Sequence, residues 1–375
     1  MSTFRTPVSS IREINPHPNA DKLSIAKVYD FDVVVKKDYY KVGDTVLYIP
    51  IDSIIPTWLE ERLFPVGSKI KLNKSRVRQI RIRGFASQGM LVDIQDIRDR
   101  VQGDLEEGQD LSEILGIVKY EPPVPDFQAN GPRVKKERNK SYENPYFHQY
   151  GGLENAKWYP DLFQEGQEVV YQIKIHGTNW RASLSPVTPK TIIQKIKKLF
   201  GLLPSHEFCY GSNTVQLQAK SKQYTGFYEE NVYEKIVRQY DIKNKLKPNE
   251  TVYGEIFGPG IQKNYHYGVA VGEHRMMVFD VKVLSDDKQS FRWLNIDELQ
   301  SWCNERGLEM VPVIYRGPHN AELARQYTKG DCLGGQKIRE GIVIRDPKET
   351  VCFMGKKAIK LISEDYLDKE NTDFH

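Results

Sequence analysis

The sequence predicts an α+β fold in two domains, a small N-terminal β-barrel and a larger domain that mixes strands with helices. Three observations carry the prediction. The first third consists of short alternating apolar runs broken by polar turns. A proline-rich and charge-rich stretch near residues 121–145 then lacks any core-forming periodicity. Beyond it, strand runs that end in Gly and Pro are interleaved with helical stripes. A chain of 375 residues is long enough for two domains that each bury a core. The boundaries read as 1–120, a linker over 121–145, and 146–375.

In the first domain, Val33 to Val35, Tyr40 to Asp44 and Val46 to Pro50 alternate and stop at short turns, the signature of a small barrel. Arg76, Arg78, Arg81 and Arg83 are spaced so that one strand edge would offer a basic track to phosphates. The linker begins Glu121-Pro122-Pro123-Val124-Pro125 and continues into the basic run Arg133 to Lys140, which reads as a solvated connection.

Lys174 lies in the strand Tyr171-Gln172-Ile173-Lys174-Ile175-His176-Gly177-Thr178-Asn179, which continues through Trp180 and Arg181. A lysine amine attacks phosphorus only when unprotonated, a state favoured by neighbouring cations or a dry pocket, and a Gly turn lets backbone approach a nucleotide. Thr251 to Gly260 is a second strand with Tyr253, Glu255 and Phe257 on one face. Met276 to Val283 is a third, with Met277, Phe279, Val281 and Val283 expected on its apolar side and Asp280 and Lys282 opposite. A fourth, Arg339 to Arg345, has Glu340 at its start, and Lys356 to Ile362 reads as a strand with Lys356, Ala358 and Lys360 on one face.

Helical spacing appears over Asp297 to Arg306 and Ala321 to Gln326. It appears again over residues 190–203, where Ile192, Ile193, Ile196, Leu199 and Phe200 form a stripe beside Lys195, Lys197 and Lys198. A packed surface helix and a membrane-contacting one share that stripe, and the expectation adopted is no membrane partner.

The ordered set KxHGxN, GExFGPG, FD, EG and a late lysine strand resembles the motifs of the ATP-dependent RNA ligases, within the covalent nucleotidyltransferase superfamily of ligases and capping enzymes. It covers roughly residues 146–367. The runs His17 to Leu23 and Arg83 to Met90 resemble OB-fold tRNA-binding domains and the N-terminal domain of one branch of RNA ligases. The resemblance implies an OB-like β-barrel followed by a nucleotidyltransferase domain built on antiparallel sheets. It implies that Lys174 takes AMP from ATP, that Glu255 holds the ribose hydroxyls, that Phe279 stacks on adenine, and that Ile175 and Asn179 help bind the nucleotide. Lys360 would contact the α-phosphate, with Lys356 or Lys357 nearby. Magnesium (or manganese) would sit at Glu340, with Glu255 or Asp280 as the second ligand.

Departures are specific: Ile173 precedes the lysine where Glu is common, His176 stands where other branches have Asp, and Ala358 replaces a second motif lysine. The run Tyr210-Gly211-Ser212-Asn213-Thr214 lacks the usual arginine, for which Arg181 is the candidate substitute. The partner implied is RNA with 3′-hydroxyl and 5′-phosphate ends, and the OB-first branch implies nicked duplexes. Two other readings are a GTP-using guanylyltransferase, against which the domain order argues, and a noncatalytic RNA-binding protein.

The excess of four positive charges is mild, so RNA binding must rest on local patches. Cys209, Cys303, Cys332 and Cys352 show no metal spacing and read as reduced thiols. With no leader-like start and no run long enough to span a bilayer, an intracellular, soluble, monomeric enzyme of cytoplasm or nucleus is expected.

Overall fold

The structure is a computed structural model that describes residues 3–68, 71–121, 143–189, 191–217 and 231–369. Most of the expected linker therefore lies outside the described residues. The chain divides into two compact units, one of 1–123, 153–164 and 360–375, the other of 124–152 and 165–359.

In the first unit, strand Thr45–Ile49 lies between Val8–Ser10 and Met90–Asp93, and a second antiparallel sheet joins Glu13–Pro16, Leu23–Val28 and Phe31–Lys36. Thr45–Ile49 is buried on both faces. Leu47 and Ile49 pack with Val8, Ile55, Leu59 and Val92, while Val46 and Tyr48 pack with Ala26, Phe31, Val33 and Trp158. A strand sandwiched in this way explains its unbroken apolar run. The two runs singled out near residues 17 and 83 meet: His17 Nε2 lies 3.0 Å from the Ile82 carbonyl, and Asn19 Nδ2 donates to the Arg83 carbonyl at 3.0 Å.

The expected arginine track is not one strand. The hairpin strand spans only Ile80–Ile82, and Arg83 sits in its turn at φ 50°. Arg76 donates through Nε (2.9 Å) and a terminal nitrogen (2.5 Å) to Asp52 and covers the Tyr120 ring at 3.6 Å. Arg81 donates to Asp368 at 2.5 Å, Arg78 is half-buried, and Arg81 and Arg83 are exposed. The step of three from Arg78 to Arg81 already breaks a two-residue alternation, and the turn in the left-handed region at Arg83 ends the strand.

The second unit holds a six-stranded antiparallel sheet in the order Gln216–Leu217, His206–Ser212, Thr178–Pro186, Glu250–Phe257, Arg275–Leu284, Phe291–Trp293. Strand Glu168–Lys174 belongs to a different sheet, flanked by Val313–Pro318 and Gly341–Arg345. One face of the six-stranded sheet, with Trp180, Ala182, Val252, Ile256, Met276, Val278 and Val281, packs under helices Val232–Gln239 and Ile296–Glu305. The latter begins with an Asn295/Glu298 capping box.

Strand Arg275–Leu284 corrects the expected alternation. Its register against Glu250–Phe257 jumps from Tyr253 opposite Asp280 to Gly254 opposite Val278, leaving Phe279 as the extra residue of a β-bulge. The core face is therefore Met276 and Val278 before the bulge and Val281 after it, so Met277 and Phe279 do not share it. The late lysine run is also two elements. Gly355–Lys356 pairs with Val351–Cys352, and a separate strand spans Ala358–Ile362. All four cysteines are free thiols, and no described helix is long and apolar enough to cross a membrane.

Candidate active site

Two adjacent strands of different sheets meet at a tight turn. Glu168–Lys174 ends at the lysine, and Thr178–Pro186 starts four residues later. Gly177 makes the turn possible: a Cβ there would lie 2.2 Å from the Ile256 carbonyl oxygen and 2.9 Å from Glu255 Cγ. The turn is fixed from outside by Gln262 Nε2, which donates to the Gly177 carbonyl at 2.9 Å, and by the Tyr267 hydroxyl, which accepts from the His176 amide at 2.8 Å.

Lys174 Nζ lies 2.6 Å from Glu340 Oε1. The pairing follows from the sheet, because Lys174 faces Gly341, the residue after Glu340. Glu340 is buried, and its second oxygen has no hydrogen-bond donor, with His176 Nδ1 3.8 Å away. The loop that delivers Glu340 is anchored by Arg339, which donates to the carbonyls of Tyr327 and Asp331.

Asn179 faces Glu255 across the Thr178–Pro186 and Glu250–Phe257 pair. The Asn179 Oδ1 atom is buried without a donor. Burial pushes the Glu255 carboxyl up to about 8, with Lys174 opposing the shift and Glu340 adding to it. The structure thus brings Lys174, Glu340, Asn179 and Glu255 together around the Gly177 turn, while Ile175 is buried beside them in the chain.

Asp280 is placed differently from the expectation. It accepts from Lys356 Nζ, from the Tyr150 hydroxyl at 2.8 Å and from Arg345 at 3.3 Å. Burial opposes its ionisation, but Lys356 and Arg345 outweigh it and hold the carboxyl below its ordinary value. Lys356 also pairs with Glu349 at 2.9 Å, and Arg345 donates to Gln172 at 2.9 Å. Asp280 therefore sits inside a closed ion network that Lys356 shares, its charge balanced by protein cations. Phe279, released by the bulge, meets Tyr150 edge-on with ring centroids 4.9 Å apart.

Arg181 is buried, and its guanidinium donates to the Ser212 carbonyl at 2.9 Å and to the Phe147 carbonyl, lying 3.8 Å from the Phe147 ring. It ties the end of strand His206–Ser212 to the segment around Phe147, so the candidate substitute for the missing arginine is engaged with main-chain carbonyls. Lys357 donates to Gln167 at 3.0 Å, and Lys360 lies on strand Ala358–Ile362, where the division between the two units falls.

Tyr150, Arg345, Glu349 and Tyr267 carry much of this geometry and were not singled out from sequence. Arg345 alone left a signal, as a cation closing an otherwise apolar strand. Among the described residues no group of three His, Cys, Asp or Glu side chains is placed to hold a metal ion by itself.

The family model for RNA ligase matches residues 167–362, and a model for an OB-fold domain matches residues 6–94. Among solved structures, the chain is similar to an RNA ligase of Naegleria gruberi. A lysine-to-alanine variant of that ligase with ATP and Mn is 22% identical at a TM-score of 0.69, over 97% of this chain and 98% of that one. Its lysine-to-methionine variant with AMP and Mn and its form with PPi are each 23% identical over the same shares, at the same TM-score. At this identity the likeness establishes a shared fold, in keeping with the expected α+β architecture of antiparallel sheets. The ligase match covers more than half of the 375 residues, and the chain belongs to the RNA ligase family, with an OB-fold domain ahead of its ligase domain.

Proposed function

We propose that the protein is an ATP-dependent ligase that joins an RNA 3′-hydroxyl to an RNA 5′-phosphate, with nicked duplexes as substrate, through AMP carried on Lys174. The observation that carries the reading is the Lys174–Glu340 contact of 2.6 Å, beside a Glu340 oxygen and an Asn179 oxygen that are both buried without donors. Buried acceptors left unsatisfied are costly, and a ligand that supplies donors or positive charge relieves the cost.

In the first transfer, the Lys174 nitrogen attacks the α-phosphorus of ATP. A P–N bond forms, the bond to the leaving pyrophosphate oxygen breaks, and Glu340 Oε1 lies within reach of the proton the amine sheds. An oxygen of the RNA 5′-phosphate then attacks the same phosphorus, the P–N bond breaks, and the proton returns to Lys174. In the third transfer the RNA 3′-hydroxyl oxygen attacks the 5′-phosphorus, the phosphoanhydride bond to AMP breaks, and AMP leaves while the hydroxyl proton passes to solvent.

Glu255, held neutral at pH 7 by burial, can both donate to and accept from ribose hydroxyls, with Asn179 Oδ1 opposite it as a further acceptor. Phe279 presents a ring for adenine, and Ile175 contributes main chain. Lys360 is assigned to the α-phosphate by its place in the motif order, with Lys357 as the basic residue beside that strand. A magnesium or manganese ion fits the Glu340 oxygen that lacks a donor and would neutralise phosphate charge, while Glu255, neutral, is left to the ribose. The OB-fold domain is assigned to RNA, with Arg78, Arg81 and Arg83 as its phosphate contacts.

The test is incubation with magnesium and ATP or GTP labelled at the α-phosphate, followed by denaturation, with Lys174→Ala alongside. Label from ATP alone, absent in the variant, is expected. Label from GTP would assign capping chemistry, and no label in protein free of pre-bound AMP would leave RNA binding without catalysis.

A further inference from the structure

The chain leaves the six-stranded sheet at Pro186 and returns at His206, and between them it builds the helix Ile192–Leu199. A Thr191/Gln194 capping box starts the helix, and none of its residues is buried. Ile192 is 76% exposed, Leu199 82%, Phe200 70% and Leu202 72%, and Ile193 and Ile196 are exposed with them. The stripe is thus real, but no part of the described protein packs on it. An eight-residue helix is marginal in water without tertiary cover, so a bare apolar face of this size marks a contact surface.

The charges identify what covers it. At 3.6 residues per turn, Leu199, Ile192, Ile196, Phe200 and Ile193 fall within an arc of about 120°. Lys195 stands about 40° beyond one border of that arc, Lys197 about 40° beyond the other, and Lys198 on the far side. No acidic residue occurs between Thr191 and Ser205. In a protein groove both borders would be pressed against the walls, where lysines are disfavoured. At a bilayer surface, border lysines lay their stems along the apolar face and raise their ammonium groups to the phosphates.

We infer that the Ile192–Leu199 helix is an interfacial anchor that seats this protein on an anionic lipid surface. The apolar arc enters the boundary between headgroups and acyl chains, and the three lysines select for negative charge. A basic residue near an anionic surface strengthens binding about fivefold, so three give roughly a hundredfold preference for charged over neutral bilayers before losses to salt.

The experiment is co-sedimentation of the full chain with vesicles of phosphatidylcholine, alone or mixed with phosphatidylserine. Binding to the mixed vesicles is expected to exceed binding to neutral ones at least roughly tenfold. Ile193→Asp with Phe200→Asp should remove it. Lys195→Gln, Lys197→Gln and Lys198→Gln together should reduce it to the neutral level. All five positions are exposed, so the thermal unfolding midpoint should not move, which separates loss of binding from loss of fold. The inference is overturned if mixed vesicles leave the protein in the supernatant, or if the double aspartate variant still sediments. Self-association that the aspartates abolish, without vesicle binding, would assign the face to a second copy of the chain.

Discussion

Replacing Glu255 with glutamine should make the ligand-free protein more stable, and the gain should grow with pH. In the fold the Glu255 carboxyl is pushed from its ordinary 4.5 up to about 8, chiefly by burial. Between those values the folded protein holds a proton that the unfolded chain releases, so raising the pH through this window removes stability. At about 1.36 kcal/mol per unit, the cost at pH 7 is at most about 3 kcal/mol and at pH 5 under about 1 kcal/mol. The substituted amide would keep the shape and an oxygen to accept from the Gly177 main chain while having nothing to ionise. Urea unfolding of both proteins without nucleotide, at pH 5 and pH 7.5, measures the difference. Glu255→Gln is expected to be more stable at pH 7.5 by about 1–3 kcal/mol, allowing for relaxation around the buried charge, and nearly equal at pH 5. Equal stability at both values, or a gain independent of pH, would refute the assignment of a neutral carboxyl at this position.

Three further outcomes follow from the geometry. Asp280→Ala leaves Lys356 and Arg345 buried without their shared partner and should cost about 3–5 kcal/mol in urea unfolding, whereas Tyr150→Phe, which removes one donor to that carboxylate, should cost about 1.5–3 kcal/mol. Gly177→Ala places a methyl 2.2 Å from the Ile256 carbonyl, so the turn must shift, and transfer of α-label to Lys174 should fall at least tenfold with a drop in the unfolding midpoint. Arg81→Ala with Arg83→Ala should weaken RNA binding and flatten the slope of log affinity against log salt by about 1 to 2, read by filter binding at several salt concentrations.

Much of the site was legible because its chemistry restricts residue type and spacing. Lys174 before a Gly turn, Glu255 on a later strand and Glu340 at a strand start stand out in the sequence by residue type and order, and the structure brings the three together around Gly177. What was hidden depends on backbone irregularity or on pairing over long separations. The run Met276 to Val283 reads as even alternation, and nothing local reveals that Phe279 is an extra residue that shifts the phase of every neighbour. The pairing of Lys356 with Asp280 was hidden because the two stand 76 residues apart in sequence. Arg76 looked like part of a basic track for the same reason, with Asp52 out of sight. The stripe at Ile192–Leu199 was visible, but its exposure was not, since periodicity records a face and not what lies against it.

These hidden pairings also explain how a domain tolerates an incompletely satisfied site. Around the Gly177 turn, Glu340 and Asn179 each keep a buried oxygen without a donor, and Glu255 is held against its ionised form. Such positions cost stability until a ligand satisfies them. A few residues away every charge is answered: Asp280, Glu349, Arg345 and Lys356 close a network of two anions and two cations, to which Tyr150 and Gln172 add hydrogen bonds. The network fixes Asp280 directly after the bulge, and Tyr150, bonded to Asp280, meets the Phe279 ring edge-on. The paired charges hold the framework in one arrangement, while around the Gly177 turn Glu340 and Asn179 each present an acceptor that no protein donor answers. A substitution in the network should therefore appear first as lost stability, and one at Lys174 or Glu340 first as lost label transfer.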